Sequence, residues 1–378
     1  MGCNKTDAPT SLLLRDLDWP ATLTALSDLD LDQRVARKVF ARVHRDWAAD
    51  FDGIDGLPAR ARARLARDAA FPDLEVVERR RAADGFVKYL FRLGDGALVE
   101  AVRIPLPDPG DARALRARRR AGEVSGLVAL PVAKYSLCIS SQVGCALGCA
   151  FCATGKLGFS RNLATWEMLA QVHAMVREAD HPARGVLFLG MGEPLLNYDN
   201  VIRAARILCD PAGLAISADA ISISTAGVAP AIRRFSAEGH RFRLIVSLAA
   251  PNSERRLSLM PIEKTWPMDE LVQAVREYAQ ASKTRVTLAY VAVSGANMDA
   301  LAAREIARLF DGVKVKINLI DVNDPSGNFL PPTDAEIALF RAELTRFSIP
   351  VARRYAGGRD INAACGTLAA TRTGGQLI

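Results

Sequence analysis

From Leu137 onward, short apolar runs alternate with amphipathic stretches. Apolar runs fall at 186–189, 220–224, 244–248, 286–292 and 315–320. Between them, apolar residues recur at helical spacing over 166–177, 200–208, 229–237, 268–281 and 299–310. A last helical pattern at 334–347 precedes a short apolar run at 351–353. Runs of four to eight apolar residues suit strands covered on both faces, and the 3.6-residue period suits helices packed on them. Repeated strand–helix units predict an α/β fold with a parallel sheet, open or closed into a barrel. In such folds the working residues sit at the carboxyl ends of the strands.

The first part of the chain reads differently. Val35, Val39, Phe40, Val43 and Trp47 lie near helical spacing within 31–48, and Pro58 opens a second helix bearing Arg60, Arg62, Arg64 and Arg67. Alternation over 85–105, broken by Gly94-Asp95-Gly96, predicts a hairpin. The stretch 106–126, rich in Pro, Gly and Arg, predicts an exposed insertion with a short basic helix. Three segments follow: a helical module over 1–82, a hairpin extension with the basic insertion over 83–130, and the α/β core over 131–378.

Composition narrows the class only modestly. Among 378 residues, Lys and Arg exceed Asp and Glu by 49 to 42, a formal charge of +7. That balance suits a polyanionic partner or simply an Arg-rich surface. The runs Arg60–Arg67 and 113–120 fit phosphate contacts or a solvated helix face equally well. Seven cysteines, an odd number, argue against a secreted disulfide scaffold. No apolar h-region follows Met1, and no apolar run reaches membrane-spanning length. The start Met1-Gly2-Cys3-Asn4-Lys5-Thr6 fits the loose myristoylation pattern, which specifies too few positions to carry weight. A reducing cytoplasm is the expected compartment.

Candidate chemistry concentrates in Ser140-Ser141-Gln142-Val143-Gly144-Cys145-Ala146-Leu147-Gly148-Cys149-Ala150-Phe151-Cys152. Three cysteines in a C-x3-C-x2-C spacing suit an iron–sulfur cluster given three of its four ligands, with one iron left open for a non-protein group. A three-Cys zinc site or buried free thiols are the alternatives, although zinc sites more often use two C-x2-C pairs. A second motif, Gly190-Met191-Gly192-Glu193-Pro194, closes the 186–189 run. By itself it is an ordinary Gly-rich turn or a set of acceptors for a cation.

The cysteine loop with an aromatic before its last Cys resembles the radical S-adenosylmethionine (SAM) superfamily. The strings Cys138-Ile139-Ser140-Ser141-Gln142-Val143-Gly144-Cys145, Gly158-Phe159-Ser160-Arg161-Asn162-Leu163, GMGEPLLN from Gly190, Ser224-Thr225-Ala226-Gly227-Val228 and Asp360-Ile361-Asn362-Ala363-Ala364-Cys365-Gly366 are similar to the RlmN/Cfr group. The likeness runs from about Asp84 to Leu368, and more weakly over the N-terminal module. It implies a partial (β/α)6-type radical SAM barrel with a small helical accessory domain. It implies methylation of an adenine carbon of RNA, C2 of an adenosine in 23S rRNA, with tRNA as a further substrate. It also implies a [4Fe-4S] cluster, SAM as methyl donor and radical source, and an electron donor such as a flavodoxin-type protein.

The resemblance assigns residues as well. Cys145, Cys149 and Cys152 would hold the cluster. Gly192, Glu193, Ser224, Ser247, Leu248, Ala249 and Asn323 would contact SAM. Cys365 would carry an S-methyl group as intermediate, and Cys138 would resolve the RNA adduct through a transient disulfide with Cys365. Glu100 aligns with a proton acceptor, although a hairpin carboxylate is ordinarily a surface charge. Cys3 and Cys209 match no motif. The chain departs from the group at Ala249, where typical members carry His, at Asp321-Val322-Asn323 in place of a Pro-Trp-Asn-like element, and in a longer 106–130 stretch. Two other readings stay open: the same chemistry on a different RNA or at adenine C8, and a non-catalytic RNA- or ribosome-binding protein with a structural metal site.

Overall fold

The computed structural model describes residues 11–120, 130–324, 327–354 and 357–368. Cys3, the N-terminal hexapeptide and part of the expected insertion, 121–129, lie outside the described residues. The strands are β1 (Glu75–Arg81), β2 (Val87–Arg92), β3 (Leu98–Pro107), β4 (Val132–Ile139), β5 (Gln142–Gly144), β6 (Phe159–Asn162), β7 (Ala183–Phe188), β8 (Ile221–Thr225), β9 (Arg243–Ser247), β10 (Val286–Ala292), β11 (Val315–Asp321) and β12 (Val351–Arg354). Ten of them form one sheet in the order β1-β2-β3-β4-β7-β8-β9-β10-β11-β12. Strands β5 and β6 make a separate antiparallel pair.

Pairing is parallel from β4 through β12 and antiparallel from β1 through β4. Strands β4, β7, β8, β9, β10 and β11 are the six of the expected barrel, and β12 extends it by one. Helices Thr165–Arg177, Tyr198–Cys209, Ala229–Ala237, Met268–Ser282 and Ala300–Leu309 connect them. Because helices cover one face and the barrel interior the other, strands such as β8 are buried throughout.

Strand β1 differs from the sequence expectation, which placed 75–81 in the helical module. Its Glu-Val-Val-Glu-Arg-Arg-Arg sequence hides a strand because it forms the sheet edge, where charged side chains face water and block further pairing. The short basic helix is present as Pro109–Arg120. The turn before β2 also braces the far end of the chain. Gly358 N donates to Asp84 Oδ2 (2.9 Å), and Ala83 N donates to Asp360 Oδ2 (3.2 Å).

The N-terminal helices have a core of their own, built from Leu14, Val39, Val43, Phe51, Ile54 and Leu65 among others. Helix Gln33–His44 starts on Asp32, whose carboxylate accepts from Arg34 N and Val35 N. The module docks on helix Thr165–Arg177. The Trp47 and His173 rings stack at 4.3 Å, the Arg15 guanidinium lies 3.9 Å over Trp47, and Asp16 Oδ1 accepts from Trp166 N (3.0 Å). In helix Ala59–Asp68, Arg64 pairs with Asp28 and Asp68, and Arg67 with Asp68. Part of that basic run is therefore neutralised locally. No helix among the described residues is long and apolar enough to cross a membrane.

Candidate active site

The cysteine loop leaves β4 by way of β5 and reaches the short helix Ala153–Lys156, after which β6 returns to pair with β5. Gly144 must be glycine here. Its φ is 72°, and a Cβ would stand 1.9 Å from the Gly158 carbonyl oxygen. That contact lets Cys145 N donate to Gly158 O (2.7 Å), which closes the loop over itself.

Ser140, Ser141 and Gln142 knit this loop to the GMGEP turn. Ser141 N donates to Met191 O (2.9 Å), Met191 N to Ser140 Oγ (2.8 Å), and Glu193 N to Gln142 Oε1 (2.8 Å). Asn197 Nδ2 reaches both Ser141 O (2.8 Å) and Leu163 O (2.7 Å). Gln171 satisfies Ser140 from the outer helix, accepting from its N and donating to its O. Gly192, at φ 103°, leaves room for Gln142; a Cβ would come within 2.6 Å of the Gln142 Cβ. Sequence reading assigned no role to Gln142, Asn197 or Gln171, because each gains its role from a segment distant in the chain.

The three loop cysteines lie within electrostatic reach of one another. Burial pushes the Cys149 thiol well up, and Cys152 and Cys145 push it further. Burial first, with Glu193 and Cys152 adding, raises Cys145 to about 11. Among the described residues, no three His, Cys, Asp or Glu side chains converge as they would on one metal ion. A cubane does not need such convergence, because its thiolates bind different irons. Three half-buried thiols on one tightly tied loop fit a cluster that takes three protein ligands.

The C-terminal loop returns to this place. Ala153 N donates to Gly366 O (2.8 Å), and Thr154 Oγ1 donates to Leu368 O (2.6 Å). Cys365 is thereby held beside the cysteine loop. Solvent reaches it, yet protein surrounds its thiol, so desolvation raises its pKa and Cys152 adds to the rise. Cys138, buried on β4, is pushed up by burial and then by Cys365. Two thiols far apart in sequence thus share one neighbourhood. Cys209 stands elsewhere, half-buried at the end of helix Tyr198–Cys209, its Sγ donating to Arg206 O (3.4 Å).

Glu193 is 2 % exposed, and desolvation raises its pKa to about 7. Its two oxygens accept from Leu195 N (3.0 Å) and Ala226 N (2.7 Å), which partly offset the rise. Ser224 and Ser247 stand at or near the carboxyl ends of β8 and β9, and Asn323 follows β11. Asn323 Nδ2 turns back to Asp321 O (2.9 Å). Ala249 is buried in left-handed backbone, φ 55°, with its carbonyl held by Asn297 Nδ2 (2.7 Å). The position offers backbone groups only.

Glu100 is not the surface charge expected of a hairpin. It is 1 % exposed, and its Oε1 lies 2.9 Å from Lys88 Nζ, itself nearly buried. Its carbonyl accepts from Ser140 Oγ (2.5 Å). The register Val102↔Cys138 and Lys88↔Val102 puts Lys88 in the row of Cys138 on the same sheet face.

The chain is similar to known proteins along nearly its whole length. The radical SAM superfamily pattern matches residues 139–305. A probable RNA methyltransferase of Myxococcus xanthus is 47 % identical, the match covering 97 % of this chain and 96 % of that protein. A dual-specificity RNA methyltransferase RlmN of Sorangium cellulosum is 37 % identical over 93 % of each. The crystal structure of a radical SAM methyltransferase from Sphaerobacter thermophilus superposes with a TM-score of 0.81 at 36 % identity, covering 95 % of this chain and 100 % of that one. These likenesses agree with the open parallel barrel and its cysteine loop: the chain belongs to the RlmN-type family of radical SAM RNA methyltransferases.

Proposed function

We propose that this chain methylates an adenine carbon of RNA, C2 of an adenosine in 23S rRNA, by way of a methyl group carried on Cys365. The dual specificity in the relatives' names extends the reading to a second RNA class, with tRNA as the expected substrate. The observation that carries the proposal is the tie between the two ends of the site. The Gly366 carbonyl is bound to Ala153 N at 2.8 Å, so Cys365 stands beside the cysteine loop and within electrostatic reach of Cys138.

In this reading Cys145, Cys149 and Cys152 hold a [4Fe-4S] cluster. Gly192, Glu193, Ser224, Ser247, Leu248, Ala249 and Asn323 line the place for SAM. When bound, the cluster and SAM supply a 5′-deoxyadenosyl radical, with the electron arriving from a flavodoxin-type donor. Adenine C2 is electrophilic, so polar methyl transfer to it has no nucleophile to use. Cys365 sulfur answers this by accepting a methyl group first. Transfer of a hydrogen atom from that methyl to the 5′-deoxyadenosyl radical would leave a carbon radical that forms the C–C bond to the base. The adduct radical would return one electron to the oxidised cluster and give up the ring proton, which Glu100 accepts in this reading. Cys138 then attacks the Cys365 sulfur. The S–S bond forms, the S–C bond breaks, and the released carbon takes a proton to become the new methyl. Burial holds Cys138 as a thiol at neutral pH, so its attack needs a base. A reducing cytoplasm suits both the cluster and the re-opening of the disulfide.

Incubating the anaerobically reconstituted protein with methyl-labelled SAM and unmodified ribosomal RNA tests the proposal. Label is expected on Cys365 and at adenine C2. No label on either overturns it, and label at C8 moves the target carbon. A colourless, zinc-loaded protein that binds RNA would instead favour a structural metal site.

A further inference from the structure

Arg256 lies outside every motif of the site, yet it is 0 % exposed. A fully buried guanidinium is costly unless its charge and donors are used. Its Nη1 is ion-paired with Glu263, 5 % exposed, whose other oxygen accepts from Met268 N (2.9 Å). Its Nη2 donates to Ala226 O (2.7 Å). Ala226 N is the donor to Glu193 Oε2, so the single residue Ala226 bridges Arg256 and the buried carboxylate of the GMGEP turn. The short helix that carries it, Ser253–Leu259, also touches the cysteine loop: Leu259 O accepts from Ala150 N (3.0 Å). Among the described residues the buried Nε of Arg256 has no hydrogen-bond partner.

We propose that the Arg256–Glu263 pair is a positioning and charge-setting device for the cluster and SAM, in which Arg256 orders the Ala226–Glu193 link and places a positive charge beside the cysteine loop. The inference rests on the cluster reading of Cys145, Cys149 and Cys152. Reduction adds negative charge to a cluster, so a nearby cation favours the reduced form and a nearby anion opposes it. The two halves of the pair therefore act in opposite directions. Loss of Arg256 leaves Glu263 uncompensated and makes reduction harder. Loss of the Glu263 charge leaves Arg256 uncompensated and makes reduction easier.

The test uses the full chain with its cluster reconstituted anaerobically, in wild-type form and as R256M, R256K and E263Q. Redox titration followed by electron paramagnetic resonance reads the midpoint potential, and calorimetry reads SAM affinity. The expected order of potentials is E263Q above wild type above R256M, with R256K close to wild type. SAM binding is expected to weaken about tenfold in R256M, as for loss of one charge-assisted hydrogen bond, and to recover partly in R256K. Unchanged potentials, or shifts of one sign in both R256M and E263Q, would overturn the proposal. If R256M fails to fold, the upward shift in E263Q still decides it. Absence of a cluster signal from the wild-type protein refutes the cluster reading instead, so the two failures are distinguishable.

Discussion

The N-terminal helical module and the barrel mouth are held together by different forces. Val39, Val43, Phe51 and Leu65 close the module around an apolar core, and the Trp47–His173 stack and the Asp16–Trp166 hydrogen bond dock it. The mouth is joined instead by hydrogen bonds among loops: Ser140 to Met191, Gln142 to Glu193, Ala153 to Gly366, Arg256 to Ala226. Apolar burial is non-directional and tolerates shape-conserving swaps, whereas a hydrogen-bonded network holds specific atoms in place and tolerates few. The module is thus suited to being a stable attachment and the mouth to holding reacting groups.

The largest effects should come from the thiols of the mouth. C365A is expected to abolish RNA methylation while leaving the cluster absorbance intact. C138S should still take label on Cys365 but leave protein covalently attached to RNA, visible as a shifted band on a denaturing gel. Retained turnover in either variant would remove that thiol from the chemistry.

Next in size are paired truncations that set the two forces against each other. L65A should destabilise the module by about 2–5 kcal/mol, read by denaturant unfolding or hydrogen exchange, with the cluster spectrum unchanged. Q142L should do the reverse, weakening SAM binding about tenfold for a lost buried hydrogen bond with little change in global stability. Equal loss of both properties in both variants would erase the distinction.

Acid and alkali should also separate the regions. Burial depresses His44 and His173 from the ordinary 6.5 to about 3, so the fold prefers them neutral. Their contribution to stability is present above 6.5 and is lost as pH falls toward 3. The module should therefore loosen from helix Thr165–Arg177 in that window, and H173F should shift the transition to lower pH. Glu193 runs the opposite way. Its folded pKa of about 7 lies above the ordinary 4.5, so its burial favours folding below 4.5 and ceases to do so as pH rises through 7. In its proposed role Glu193 holds the SAM ammonium in the ionised form, so affinity should tighten from pH 6 to pH 8. Calorimetry on wild type and E193Q checks this, and a flat profile in wild type would contradict it.

The smallest expected effect is at Ala249. A left-handed φ of 55° strains any residue with a Cβ, so A249G should raise stability by about 1 kcal/mol. The family His would suit this conformation better than Ala, since His visits it more readily.

Several features were legible because they are local. The C-x3-C-x2-C spacing, the GMGEP turn at a strand end and the alternating apolar periods each lie within a few residues of sequence. They yielded the barrel strands to within a few residues, with 286–292 matching β10. Strand β1 was hidden because an edge strand keeps its charged side chains in water and loses the apolar alternation. The burial of Glu100 was hidden because its charge is answered by Lys88 on the neighbouring strand. Gln142 and Asn197 lay inside motif strings with no role assigned, and Arg256 lay outside them, since their partners lie in other loops.

The sequence alone thus determined the three-cysteine spacing, the order of the strand–helix units and the family resemblance, because those depend on residue type and spacing. Only the tertiary structure decided that Cys365 stands beside the cysteine loop and within electrostatic reach of Cys138, that Glu100 is internal and that Arg256 is buried against the Ala226 carbonyl. Each of those facts is a contact between segments far apart in the chain, and such contacts exist only once the barrel has brought its loops to one mouth.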